Sequence, residues 1–197
     1  MYWGNKIIVV DTETTGLNPL KHTIVSIGAC LVEDMKITDY FYSICWPGRK
    51  FFKNGIADKA LQINGLSLQE LINAPSTIEV VHKFLEWLYP NYPNCDSDLK
   101  TDITAYNAQF DKGMLSKNEW DALKCFDWKA CIMLECMKPM KEGKKLQWVE
   151  YRQDYKWPKL SEASEFFGII NPNPHLASGD AETAALILIE LQKYNMM

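Results

Sequence analysis

The sequence predicts an α/β fold: a mixed sheet of about five strands flanked by helices, formed by a single domain over residues 1–197. Three observations lead there. Short runs rich in β-branched residues come first, strand-like runs then alternate with helical periodicity, and no linker, repeat or low-complexity tract divides the chain.

KIIVV (6–10) reads as a buried strand that ends in DTETTGLNP, where Gly16, Asn18 and Pro19 signal a turn. TIVSIGACLV (23–32) and ITDYFYSICW (37–46) are the next two strands, with Glu33-Asp34 as a hairpin connection, so the first three strands should form an antiparallel meander. From Ala57 the pattern turns helical: ADKALQI runs up to Asn64-Gly65, and a short helix covers Ser67 to Ile72. A stronger helix starts at Pro75-Ser76-Thr77, with Ile78, Val81, Phe84, Leu85 and Leu88 on one face. Residues 90–100 read as a polar loop, Asp102 to Tyr106 as a fourth strand, and 108–117 as a helix capped by Asn107. Trp128 to Met133 fits a fifth strand or a helix start, and periodicity does not choose between them. Residues 138–158 look irregular, basic and aromatic, and helices follow near 160–167 and 178–194.

Nearly half of the residues are hydrophobic and 12% are aromatic, which supplies a core and excludes a disordered chain. The formal net charge of −4 argues against a passive nucleic-acid coating protein, which is usually basic, but not against an enzyme that grips a few nucleotides. The six cysteines form no C-x-x-C pair, and neither a signal peptide nor a membrane span is expected, so reduced thiols in the cytoplasm are.

Asp11 and Glu13 are two residues apart at the end of the first strand, so both carboxylates point to one side. Their repulsion is relieved by a cation, and hard oxygen ligands suit Mg²⁺ or Mn²⁺. Alone, D-x-E also describes a strand leaving a core for a polar turn. Asp111 lies four residues after Asn107, where a lone acidic residue near a helix start would be ordinary dipole chemistry. His175 precedes Asp180 by five residues, in a loop after Pro172 and Pro174, and Ser178 could cap the helix that holds Asp180. His22 lies in a turn and His82 within a helix, so neither marks a site.

Taken together, D-x-E on strand one, N-x-x-x-D at a mid-chain strand-to-helix turn and H-x-x-x-x-D before the last helix resemble the DEDDh 3′→5′ exonuclease family, on the RNase H-like fold. ALQINGLSLQELINAPSTIEVVHKFLEWL and KLSEASEFFGI resemble the family's segments between these motifs, so the likeness covers nearly the whole chain. The resemblance implies two Mg²⁺ ions, which Mn²⁺ could replace. Asp11, Glu13 and Asp180 would bind one ion; Asp11 would also reach the second, held by Asp111 through water. His175 would be the general base, so His175→Ala should slow turnover and leave metal binding intact. Two such ions can clamp the attacking and departing oxygens of a phosphodiester. The family's wedge at the terminal nucleotide maps onto Thr14, Thr15, Gly16 and Leu17, and Asn64, Tyr106, Asn107 and Phe110 fall at the substrate side of the site. Many relatives carry histidine where this chain has Tyr106, and often where it has Asn64, which puts substrate preference in doubt more than the reaction.

The implied activity is release of nucleoside 5′-monophosphates from single-stranded or frayed DNA 3′ ends. The alternatives are an exoribonuclease trimming RNA, since metal ligands do not see the 2′-hydroxyl, and a non-catalytic nucleic-acid or polymerase-binding module. Retention of all five residues disfavours the module. Similarity to the epsilon proofreading subunit of bacterial replicative polymerases makes a polymerase partner possible. The final helix ends almost at Met197 and leaves no tethering tail, so a free-standing nuclease is expected. GRKFFK (48–53) and the segment 141–157 interleave cations with aromatics, a pattern that fits either single-strand binding or solvated loops covering the core.

Overall fold

Alternating side chains make the first strand two-sided: Ile7 and Val9 belong to one buried cluster, Ile8 and Val10 to another. Such a strand is buried on both faces, hence its unbroken apolar run. The computed structural model describes residues 3–55, 57–91, 101–117, 120 and 126–196. The strand, β1, spans Lys6–Thr14 and pairs antiparallel with β2 (Ile24–Glu33), which pairs antiparallel with β3 (Lys36–Ile44). Asp34 and Met35, at the β2–β3 turn, both have positive φ (49° and 60°), the twist a two-residue hairpin favours.

Helices α1 (Asp58–Asn64), α2 (Leu68–Ile72) and α3 (Thr77–Asn91) follow, and Ser67 with Glu70 forms a capping box at the start of α2. The chain then returns in parallel: β4 (Thr101–Ala105) lies beside β1, and β5 (Phe126–Trp128) beside β4, giving the sheet order β3-β2-β1-β4-β5. This is the mixed five-stranded sheet flanked by helices that the sequence predicts. One face carries α3 and α4 (Ala108–Leu115) over Ile8, Val10 and Ile27, with Phe84 of α3 in the same cluster. The other carries α5 (Ile132–Glu142), α6 (Leu160–Phe166) and α7 (Ala177–Tyr194) over Ile7, Val9 and Cys30.

Several expectations are corrected. β1 does not stop at Val10: residues 11–14 stay in the strand because β2 pairs with them, Asp11 opposite Gly28 and Glu13 opposite Ser26. Both carboxylates therefore sit within the strand. On α3, Val80 is buried in place of Ile78, which is 54% exposed, because the helix turns its 80–81–84–88 stripe to the sheet. Both readings of 128–133 hold in part, since a three-residue strand ends at Trp128 and a helix begins at Ile132. The segment 138–158 is less irregular than expected: α5 runs to Glu142, and β6 (Trp148–Val149) pairs with β7 (Asp154–Tyr155). Ser178 lies inside α7, whose cap position is Leu176, and Asn107 occupies the cap position of α4 without a side-chain capping bond. The expected loop at 90–100 lies outside the described residues from 92 onward.

Gly28 brings the last helix onto the sheet beside Asp11. A Cβ there would stand 2.2 Å from the carbonyl oxygen of Ala177 and 2.5 Å from the nitrogen of Ser178. Both are backbone atoms, so α7 itself would have to move. Gly28→Ala is expected to cost about 2–3 kcal/mol in urea unfolding and to reduce activity; an unchanged midpoint would sink this account.

Candidate active site

Three elements bring the acidic residues together. β1 supplies Asp11 and Glu13, and the start of α7 supplies Asp180. One carboxylate oxygen from each lies within 4.8 Å of the others. Asp111, in the first turn of α4, stands outside that trio but is buried close by, and its Oδ1 accepts a 2.8 Å hydrogen bond from the Thr12 hydroxyl. Thr12 thus links the D-x-E strand to α4, a role that the sequence does not signal.

The electrostatics show how unfavourable this arrangement is without a counter-charge. Burial, then the charges of Asp111, Asp180 and Glu13, raise the Asp11 carboxyl well above the usual range. Burial, then Asp180 and Asp111, push Glu13 up to about 8. Burial lifts Asp111 to about 7 against the bond from Thr12. Burial also raises Asp180, opposed by hydrogen bonds from Asn171 and from the His175 backbone. Such a cluster fits a hard divalent cation, for which anionic oxygens are the preferred donors.

A stability prediction follows, with its sign. Glu13 moves from 4.5 unfolded to about 8 folded, so the folded protein holds more protons in between. The cluster's contribution is therefore fully favourable at acid pH and is lost as pH rises toward about 8. In EDTA, Tm should fall between about pH 5 and pH 8, and millimolar divalent cation should restore it most at the alkaline end. A flat profile at constant ionic strength, or no gain from cation, would contradict it.

His175 sits in the loop before α7 with φ of 65°, a left-handed conformation that costs a histidine energy. Its backbone N–H donates to Asp180 Oδ2 at 3.2 Å, while its side chain is exposed. His175 and Asp180 border a cleft of about 870 Å³, also lined by Leu17, Tyr106, Asn107 and Trp157. Leu17 is 83% exposed, whereas the turn that presents it is fixed internally. The Thr14 hydroxyl donates to Gly16 O at 2.8 Å, Thr15 Oγ1 accepts from Thr23 N at 3.1 Å, and Asn64 Nδ2 reaches Thr14 O at 3.3 Å. A Cβ at Gly16 would stand 2.6 Å from the His22 ring, so glycine lets the turn close against that side chain. Phe110 lines a second groove together with Leu17, Pro19 and Asn107.

The Tyr106 hydroxyl is buried and directed at the carbonyls of Pro158 and Lys159, 3.0 Å from each, so its polar tip braces the cleft wall that follows Trp157. Trp157 faces the cleft with the Arg152 guanidinium 5.3 Å from its ring, and Lys141 lies over Tyr155 at 5.1 Å. The flagged segment 141–157 thus contributes at least Trp157 to the site. The sequence reading set His22 aside as a turn residue and singled out neither Thr12, Asn171 nor Trp157; of these three only Trp157 left a trace, as part of that cation-aromatic pattern.

Comparison with known proteins agrees with this geometry. The sequence profile of the RNase T family, described as exonuclease, matches residues 8–188. The DNA polymerase III PolC-type of Clostridium perfringens (strain 13 / Type A) is 29% identical over 187 residues, covering 94% of this chain but only 11% of the polymerase. Among solved structures, the nuclease domain of 3′hExo, a DEDDh member bound to rAMP, aligns with a TM-score of 0.67 at 16% identity, over 98% of this chain and 94% of that one. The zinc-bound E. coli ExoI–single-stranded DNA complex aligns at TM-score 0.72 and 15% identity, over 98% of this chain and 42% of that one. At these identities the structural matches establish the fold.

Proposed function

Because this chain belongs to the RNase T exonuclease family, we propose that it is a DEDDh-type, Mg²⁺-dependent 3′→5′ exonuclease releasing nucleoside 5′-monophosphates from single-stranded or frayed DNA 3′ ends. The observation that carries this reading is the meeting of Asp11, Glu13 and Asp180 within 4.8 Å, at the border of a cleft that also holds His175. Divalent cations bound there supply positive charge against the phosphate oxygens, and Mn²⁺ should serve as well as Mg²⁺.

The protein's own residues have distinct tasks in this scheme. Asp11, Glu13 and Asp180 hold the cation, with Asp111 supporting a second. His175 takes a proton from the attacking water; the water oxygen bonds to phosphorus, the P–O3′ bond breaks, and the departing O3′ takes up a proton from solvent, so the upstream chain leaves with a 3′-hydroxyl. Leu17 meets the terminal base in the cleft, with Trp157 as a further apolar contact. The rigid 14–17 turn keeps Leu17 in place.

DNA is favoured over RNA because the PolC-type relative is a DNA polymerase. The rAMP bound by the 3′hExo domain is the observation on the other side, and it supports an RNA-trimming enzyme as the second reading. A polymerase partner is proposed on the same likeness. No described helix is long and apolar enough to cross a membrane. A cytoplasmic placement is proposed on the likeness to a bacterial DNA polymerase, and the free thiols Cys30, Cys45, Cys131 and Cys136 are compatible with it.

The test uses 5′-labelled DNA and RNA oligonucleotides with free or blocked 3′ ends, with Mg²⁺ or EDTA. A descending ladder on free ends only, in Mg²⁺ only, is expected, and faster on DNA. Cleavage of blocked ends, or cleavage in EDTA, would overturn the proposal.

A further inference from the structure

Asp180 is held at both oxygens by one short loop. Asn171 Nδ2 donates to Oδ1 at 2.6 Å, and the His175 backbone N–H donates to Oδ2 at 3.2 Å. Asn171 is itself fixed: its Oδ1 accepts from the Asn173 N–H at 3.1 Å. Only one orientation of the amide satisfies both neighbours, because a carboxylate needs a donor and an N–H needs an acceptor. The loop also presses on the helix: a Cβ at Gly179 would stand 2.5 Å from Asn173 O and 3.2 Å from Asn171 Oδ1. Pro172 and Pro174 restrict the remaining backbone freedom, so few bonds suffice to set the loop.

The left-handed conformation of His175 acquires a cause in this arrangement. With φ of 65° its N–H points at the Asp180 carboxylate, and that charge-assisted bond offsets the cost of the conformation. A change in where Asp180 sits therefore reaches His175 through its own main chain.

Building on the proposed activity, we infer that Asn171 is a positioning residue that locks Asp180 to the loop bearing His175, so that cation ligand and general base take up their working geometry as one unit. Asn171 touches neither scissile phosphate nor water in this scheme; it acts through Asp180. Hydrogen-bond partners of this kind typically change metal affinity or activity by about 10–100-fold when removed.

The experiment compares wild type with Asn171→Ala and with Asn171→Asp, which keeps the side chain's shape and its contact with Asn173 but removes the donor. On metal-free protein, calorimetric titration with Mn²⁺ alone should show a dissociation constant weakened about 10-fold or more. Amide exchange at His175 should accelerate in the same samples. With Mg²⁺ and oligonucleotide, kcat should fall about 10–100-fold while KM stays within about twofold. If both variants keep wild-type Mn²⁺ affinity, exchange and kcat, the inference is overturned, as it is if they lower Tm alone. A wild type inactive on DNA and RNA would sink the exonuclease reading, while the Mn²⁺ and exchange measurements would still decide the role of Asn171.

Discussion

Replacing Asp11 by asparagine is expected to lower turnover by on the order of 10³-fold and, in the same protein, to raise the stability of the cation-free form at about pH 8. The two effects share one cause. Asp11 faces the charges of Asp111, Asp180 and Glu13 from a half-buried position, so its ionisation is unfavourable until a cation arrives. Asparagine keeps the shape and removes the repulsion, but it is a poor ligand for a hard ion. Nuclease assays in Mg²⁺ beside thermal melts in EDTA read both halves. A variant that stays active, or that melts below wild type in EDTA, would show that Asp11 is no member of a cation-holding cluster.

The second large effect is at His175. His175→Ala should reduce kcat by about 10²–10⁴-fold, the usual range for loss of a general base, with Mn²⁺ affinity unchanged. Loss of metal binding instead would make His175 a ligand. A companion variant separates backbone from ring. At φ of 65° glycine is at ease and alanine is not, so His175→Gly should be about 1 kcal/mol more stable than His175→Ala while equally inactive.

The parts of this architecture that could be read in advance are those written in local pattern. β1 to β3 show the β-branched runs and hairpin of a meander, and α7 shows a continuous apolar stripe through Ala184, Ile187, Leu188 and Leu191. What escaped was set by contacts between distant segments. β1 continues through polar Asp11–Thr14 only because β2 pairs with it, and no period in DTET announces that. β5 has three residues, too few for any alternation, and exists because β4 offers a parallel edge. In the site, Asp11, Glu13, Asp111, His175 and Asp180 were singled out by the order of their motifs and the family resemblance it carries, and three of them meet in the structure. Asn171 and Thr12 were not singled out, since each matters through one hydrogen bond to a carboxylate 9 or 99 residues away. Tyr106 differs again: its hydroxyl spans to the carbonyls of 158 and 159, a use that no short motif encodes.

The seating of α7 against Gly28 has a consequence for the life of the newly made chain. Residues 11 and 180 are far apart in synthesis, and Asp180 reaches Asp11 only after that helix has left the ribosome and docked. Long-range closure of this kind comes late in folding. Nascent and prematurely terminated chains would therefore carry Asp11 and Glu13 but no competent cutting centre, a safeguard for the nucleic acids around them that comes from the chain order alone.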